Sequence, residues 1–156
     1  MGKMKEQIAN KIAEALNEIE SDYKSRLLPT LEVIAALVHR AIEENFARRG
    51  RWDGSGTGIF SGGNQRWKPL APTTIEKYKK LGYELNPTLD RGGLLRRSIA
   101  TYADKKNIAV VISVANVPYA AVHQFGSGRI PARPYIVLTE QDLEIILDLL
   151  TGLLKK

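Results

Sequence analysis

Apolar residues recur every three or four positions along the first third of this chain, and that spacing constrains its fold more than any other feature. Ile8, Ile12, Leu16, Ile19, Tyr23 and Leu27 form one series; Ile34, Leu37, Val38, Ala41, Ile42 and Phe46 form a second. A period near 3.6 places each series on one side of a helix. Pro29 stands between them, has no backbone N–H and disfavours helical backbone at Leu28. The sequence therefore predicts two helices. One runs from Met4 to about Arg26; the other is capped by Thr30 and stopped by Gly50. Each has a single apolar face, so other parts of the chain or a partner must cover it.

The covering elements are short. Six glycines fall in GRWDGSGTGIFSGG, from Gly50 to Gly63. No Lys-Ser or Lys-Thr follows and a helix precedes, so a phosphate loop does not fit. A flexible loop over 50–66 is expected, with Trp52, Ile59 and Phe60 available to a partner surface. In WKPLAPTTIEKYKKLG, Pro69 and Pro72 hold an extended entry, Thr73 or Thr74 caps a short helix, and Gly82 ends it. TLDRGG is a turn in which Gly92 and Gly93 permit positive φ. Ser98 to Ala103 and Asn107 to Ala115 read as strands joined through ADKKN.

Tyr119 to Phe125 reads as a short helix closed by Gly126, and Pro134 leads into a strand, YIVLT. Thr139 and Asp142 resemble a capping box opening a last helix, with Leu143, Ile146, Leu147, Leu150 and Leu154 as its stripe. The expected class is α+β: two N-terminal helices, a small antiparallel β-sheet, short helices and a C-terminal amphipathic helix. One domain over 1–156 is expected, with a helical arm at 1–28. At 156 residues folding buries roughly 68–70% of the unfolded surface.

Composition removes several chemistries. The chain has no cysteine, so thiol catalysis, redox pairs and Cys-based zinc sites are excluded. No apolar run reaches the ~20 residues of a membrane span. The N-terminus has neither a signal-peptide core nor the Ser or Thr of a myristoylation motif at position 6, so a soluble protein without membrane contact is expected. The net charge of +6 is uneven: residues 48–97 carry eleven Lys and Arg against four Asp and Glu. Such a face suits nucleic acid, an acidic protein surface or plain solvent.

Catalytic candidates are few. His39 lies within a helix near an apolar stripe, with no Glu-x-x-His arrangement. His123, in YAAVHQFGSGRIPARPYI, has Tyr119, Ser127 and Tyr135 nearby but no carboxylate within the motif; a triad would need a distant Asp90 or Asp104. Two histidines leave little material for zinc. Neither an enzyme nor a metal or other cofactor is expected. Arg91, Arg96 and Arg97 near Lys105 and Lys106, with Trp52 and Trp67 for base stacking, support an alternative reading as a basic nucleic-acid-binding accessory protein. No helix-turn-helix, zinc-finger or RNP pattern accompanies them. The residues of YAAVHQFGSGRIPARP are instead expected to steer the backbone: Gly126 and Gly128 reverse the chain, and Pro131 and Pro134 straighten it. Phe125 docks in the core with Tyr119 nearby, His123 and Gln124 bond loop backbone groups, and Arg133 is free to reach a neighbour.

The order WKPLAPTTIEKYKK, LDRGGLLRRSI, VPYAAVHQFG, IPARPYIVLTEQD and a terminal amphipathic helix resembles the phage virion morphogenesis family, the Mu-like tail completion group. The resemblance spans about Leu31 to Leu150. Two departures are the Arg91-Gly92-Gly93 turn, where relatives commonly carry Thr-Gly, and an expanded loop before Trp67. It implies a structural protein, of phage or prophage, that completes the tail or joins it to the head. It also implies self-association into a ring, contacts with tail or head-connector proteins, and a place in the host bacterial cytoplasm and then the virion. The basic middle of the chain is expected to give at most weak, non-specific DNA contact that falls steeply with salt. Trp67, Pro69, Leu70, Gly92, Tyr119, His123, Gln124, Phe125, Gly126, Pro131, Arg133 and Pro134 are the expected structural and assembly motif.

Overall fold

A computed structural model describes residues 2–51, 66–83, 89, 91–112 and 117–155. Trp52, Ile59, Phe60 and nearly all of the glycine-rich loop lie outside the described residues, as do residues 113–115 of the second expected strand. In chain order the elements are α1 (Gly2–Arg48), α2 (Pro72–Lys80), a 3₁₀ turn (Arg91–Gly93), α3 (Leu94–Arg97), β1 (Ile99–Ala103), β2 (Ile108–Ile112), α4 (Ala120–Phe125) and α5 (Glu140–Leu154). This is an α+β fold.

The two expected N-terminal helices are one. Pro29 sits inside α1, where the proline ring ordinarily costs about 3 kcal/mol. Thr30 does not cap a second helix; its hydroxyl donates back to Arg26 O at 2.9 Å, bracing the turn around the proline. Both sides of that turn are anchored from outside. Arg26 donates to Leu153 O at 3.1 Å at the end of α5, and the following half of α1 packs on β1 and α5. Tertiary packing outweighs the local preference. The far end closes with two bonds, Gly50 N to Asn45 O and Arg49 N to Phe46 O, with both residues at positive φ. That pattern places Arg49, rather than glycine, in the first left-handed position.

The second stripe meets expectation: Ile34, Val38, Ala41, Ile42 and Phe46 are buried, joined by Trp67, Leu95, Ile99, Val117, Tyr135 and Leu138. Phe46 is the hub, with Trp67 edge-on at 5.5 Å and Tyr135 tilted at 5.5 Å. β1 and β2 pair antiparallel from Ile99 opposite Ile112 to Ala103 opposite Ile108. Asp104 Oδ1 closes the hairpin, accepting from Lys106 N and Asn107 N. The expected turn at Gly92 and Gly93 also holds, at φ 73° and 66°.

Three local expectations change. Neither threonine caps α2, because the helix starts at Pro72 after Ala71 and both lie within it. The capping box of α5 forms as expected, but its inward face differs. Leu143, Ile146 and Leu149 pack on the core and Leu153 is buried, whereas Leu147, Leu150 and Leu154 are exposed. YIVLT is not a strand. Side chains, not a neighbouring strand, take up its backbone groups.

Candidate functional site

The chain from Tyr119 to Thr139 is assembled around that unpaired extended segment. Gln124, on the inner side of α4, is 4% exposed. Its Oε1 accepts from Tyr135 N and Ile136 N, each at 3.0 Å, and its Nε2 donates to Ile136 O at 3.2 Å. From the opposite side, Asn45 Nδ2 donates to Tyr135 O at 2.9 Å and Val137 O at 3.0 Å. One glutamine and one asparagine thus stand where sheet neighbours would, satisfying buried amides that are costly to leave open. Tyr135 adds a bond from its hydroxyl to Ala120 O at 3.0 Å.

The reversal before this segment depends on one glycine. Gly126 has φ 77°, and a Cβ there would lie 2.9 Å from Ala132 N and 3.1 Å from Ile130 O. Ser127 and Ile130 then pair through both backbone bonds, with Gly128 at the tip. Past Pro131 the chain returns beside α4, where Arg133 N donates to His123 O at 2.7 Å.

Arg133 is not free. It is 5% exposed, and its Nε and Nη2 donate to Lys68 O and Pro69 O, both at 2.7 Å. Next to it, Trp67 Nε1 donates to Pro134 O at 2.6 Å. The two most distinctive stretches of sequence, WKPL and IPARP, are therefore bolted together, and the positive charge faces carbonyl dipoles instead of a carboxylate on a neighbour. Phe125 does not dock in the core either. It is 64% exposed, and Tyr119 and Ile130 are exposed beside the same reversal. A helix of only six residues that turns Gln124 and Ala120 inward leaves Phe125 facing outward.

His123 lies edge-on to Tyr119, ring centres 5.5 Å apart. Its Nδ1 is buried without a hydrogen-bond partner, contrary to the expectation that its side chain bonds the loop. Burial first, and then the Arg133 charge, lower its pKa. Of the two distant carboxylates considered as partners, Asp104 is committed to its hairpin and Asp90 lies outside the described residues. Around His123 a 650 Å³ groove is walled by Lys68, Pro69, Leu70, Pro72, Tyr78, Arg129, Ile130 and Pro131. Gly92 lies apart, its carbonyl accepting from Arg97 Nη2 at 2.6 Å. Among the described residues no cluster of three or more His, Asp or Glu is placed to hold a metal. None of the described helices is long and apolar enough to cross a membrane.

Two features bear on nucleic acid. Trp67 is buried, so it does not offer a ring for base stacking. Arg96 pairs with Glu43, its Nε 2.7 Å from Oε2, which neutralises part of the basic cluster.

The model of the phage virion morphogenesis family matches residues 7–155. The chain belongs to that family. Within it, the chain is 32% identical over 147 residues to Mu-like prophage FluMu G protein 2 of Haemophilus influenzae, covering 90% of this chain and 86% of the relative. No solved structure matches.

For a virion morphogenesis protein the residues that sequence reasoning missed are framework residues. Asn45 carries a readable signal, as a polar residue three positions after Ile42 and one before Phe46 on an apolar face. Arg51 carries none, standing at the edge of the glycine-rich run. It nevertheless holds Glu44 at 3.0 Å and grips both carboxylate oxygens of Asp142, tying the exit of α1 to the cap of α5.

Proposed function

We propose that this chain is a structural component of a phage or prophage virion that completes the tail or joins it to the head, acting through docking surfaces and not through chemistry. The carrying observation is the uncovered half of α1. Ile8, Ile12, Leu16 and Ile19 are each at least half exposed, on a helix whose other half is buried in the core. Contiguous exposed apolar surface of this kind marks an interaction site. Family membership says which interactions to expect, namely those of virion assembly.

On this reading residues 1–28 form an arm for a neighbour on a single domain, and the glycine-rich loop 50–66 contributes a second contact. Copies of the chain assemble into a closed ring, and tail or head-connector proteins take up the remaining surfaces. The twelve residues of the motif then divide by role. Trp67, Pro69, Gln124, Gly126, Pro131, Arg133 and Pro134 build a rigid reversal; Tyr119 and Phe125 are presented by it; Leu70 and His123 line the groove; Gly92 shapes a separate turn. DNA contact is weak and non-specific. The protein collects in the host cytoplasm and ends in the virion.

The test is genetic and structural. Particles made without the gene should appear by electron microscopy as unjoined heads and unfinished tails, and complementation should restore joined particles containing the chain. Normal, infectious particles without it would refute the assignment.

A further inference from the structure

The exposed stripe of the arm is nearly symmetric along its own axis. Ile8, Ile12, Leu16, Ile19 and Tyr23 fall within an arc of about 80° at 100° per residue, and their exposures run 54, 56, 60, 50 and 38%. The intervals between them are 4, 4, 3 and 4 residues. Reversing the order gives 4, 3, 4 and 4, so a second arm laid antiparallel meets a near-matching row. With a two-fold axis between Ala15 and Leu16, Ile8 falls opposite Tyr23, Ile12 opposite Ile19, and Leu16 opposite Ala15.

Charge agrees with that register. Lys11, Glu18 and Asp22 lie on one flank of the stripe, and an antiparallel two-fold pair brings like flanks together. Lys11 of one copy then stands level with position 20 of the other, between Glu18 and Asp22. On the opposite flank Ala9 and Ala13 are small enough to let the helices approach. The end of α5 agrees as well. Leu153 and Leu154 form one wall of a 460 Å³ groove whose other wall includes Leu16, Ile19 and Tyr23. The antiparallel register delivers the second copy's Ile8 and Ile12 to that groove, whereas a parallel pair would crowd both α5 ends together.

We propose that a second copy of this chain occupies the stripe, arm against arm and antiparallel about an axis between Ala15 and Leu16. The contact is isologous, each pairing occurring twice across the axis. It names one contact of the self-association in the proposed function and rests on that reading; a two-fold contact closes on itself as a pair, so the ring needs separate heterologous contacts, and the pair is read out on the free protein. Its failure would leave the role in the virion standing.

The chain has no cysteine, so single-cysteine variants of the full chain report the register. Leu16→Cys should be captured as a covalent dimer by a short thiol cross-linker. Ile8→Cys alone should not, because its two copies stand about 22 Å apart along the pair; a mixture of Ile8→Cys and Tyr23→Cys should. Light scattering should show the wild-type pair lost in Ile12→Glu and regained in Ile12→Glu/Ile19→Lys, which sets Glu against Lys at both crossings. Larger assemblies with the same cross-linking pattern also support the proposal. Equal capture of Ile8→Cys and Leu16→Cys, or a strict monomer with no capture at any position, overturns it.

Discussion

Replacing Gln124 by leucine removes the three bonds that stand in for a neighbouring strand. The volumes are similar, so the cost is electrostatic: Tyr135 N, Ile136 N and Ile136 O lose their partners together. Each buried group left open costs about 1–3 kcal/mol. Tyr135 is fully buried but Ile136 only partly, so water recovers some of the loss there and the expected total is about 3–4 kcal/mol. Against a domain stability of about 5–15 kcal/mol that is a large fraction. Urea unfolding followed by circular dichroism should show the midpoint falling with the slope unchanged. Tyr135→Phe is the control, since it deletes one bond, to Ala120 O, and should cost about 1 kcal/mol. A Gln124→Leu protein no less stable than Tyr135→Phe would refute the idea that side chains replace the missing strand.

Other perturbations follow the same reasoning. Arg133→Ala should cost about 3 kcal/mol by urea unfolding, since two charge-assisted bonds are lost, and Arg133→Lys should recover less than half; a variant of wild-type stability that fails only in assembly would contradict the clamp. Gly126→Val should destabilise by more than about 2 kcal/mol because a positive φ and a 2.9 Å approach act together, while Gly82→Ala, with the same sign of φ but open space around it, should cost about 1 kcal/mol in thermal unfolding. His123 has a folded pKa below its ordinary 6.5, so the unfolded chain binds more protons just below that pH. Its contribution is complete above 6.5 and is lost as pH falls through the lowered value, so wild type should lose stability relative to His123→Gln over a pH range that starts at 6.5 and runs downward. A difference constant across that range would contradict the burial argument.

How much was legible in advance depends on how local the deciding interaction is. The Thr139–Asp142 cap, the hairpin at Asp104, the reversal at Gly126 and the buried face from Ile34 to Phe46 all rest on residues a few positions apart, and all were readable. Pro29 misleads because the contacts holding α1 together there come partly from α5, over a hundred residues away. YIVLT has the composition of a strand, yet Asn45 and Gln124 occupy its two sides. Arg133 and Phe125 exchanged expected roles, the cation turning inward and the aromatic outward. A buried arginine needs acceptors, and those are the Lys68 and Pro69 carbonyls, which no pattern near residue 133 announces. The apolar stripe of the arm is legible as periodicity; that it stays uncovered in the single chain is not.

The role proposed for the exposed stripe is a contact in virion assembly. The most direct measurement is the yield of joined, infectious particles when the gene carries Ile12→Glu and Ile19→Glu, with the chain quantified in those particles by mass spectrometry. The expected result is an expressed, folded protein, separate heads and tails, and little of the chain in any particle. Infectious particles at the normal titre, carrying the doubly charged protein at its usual abundance, would contradict it.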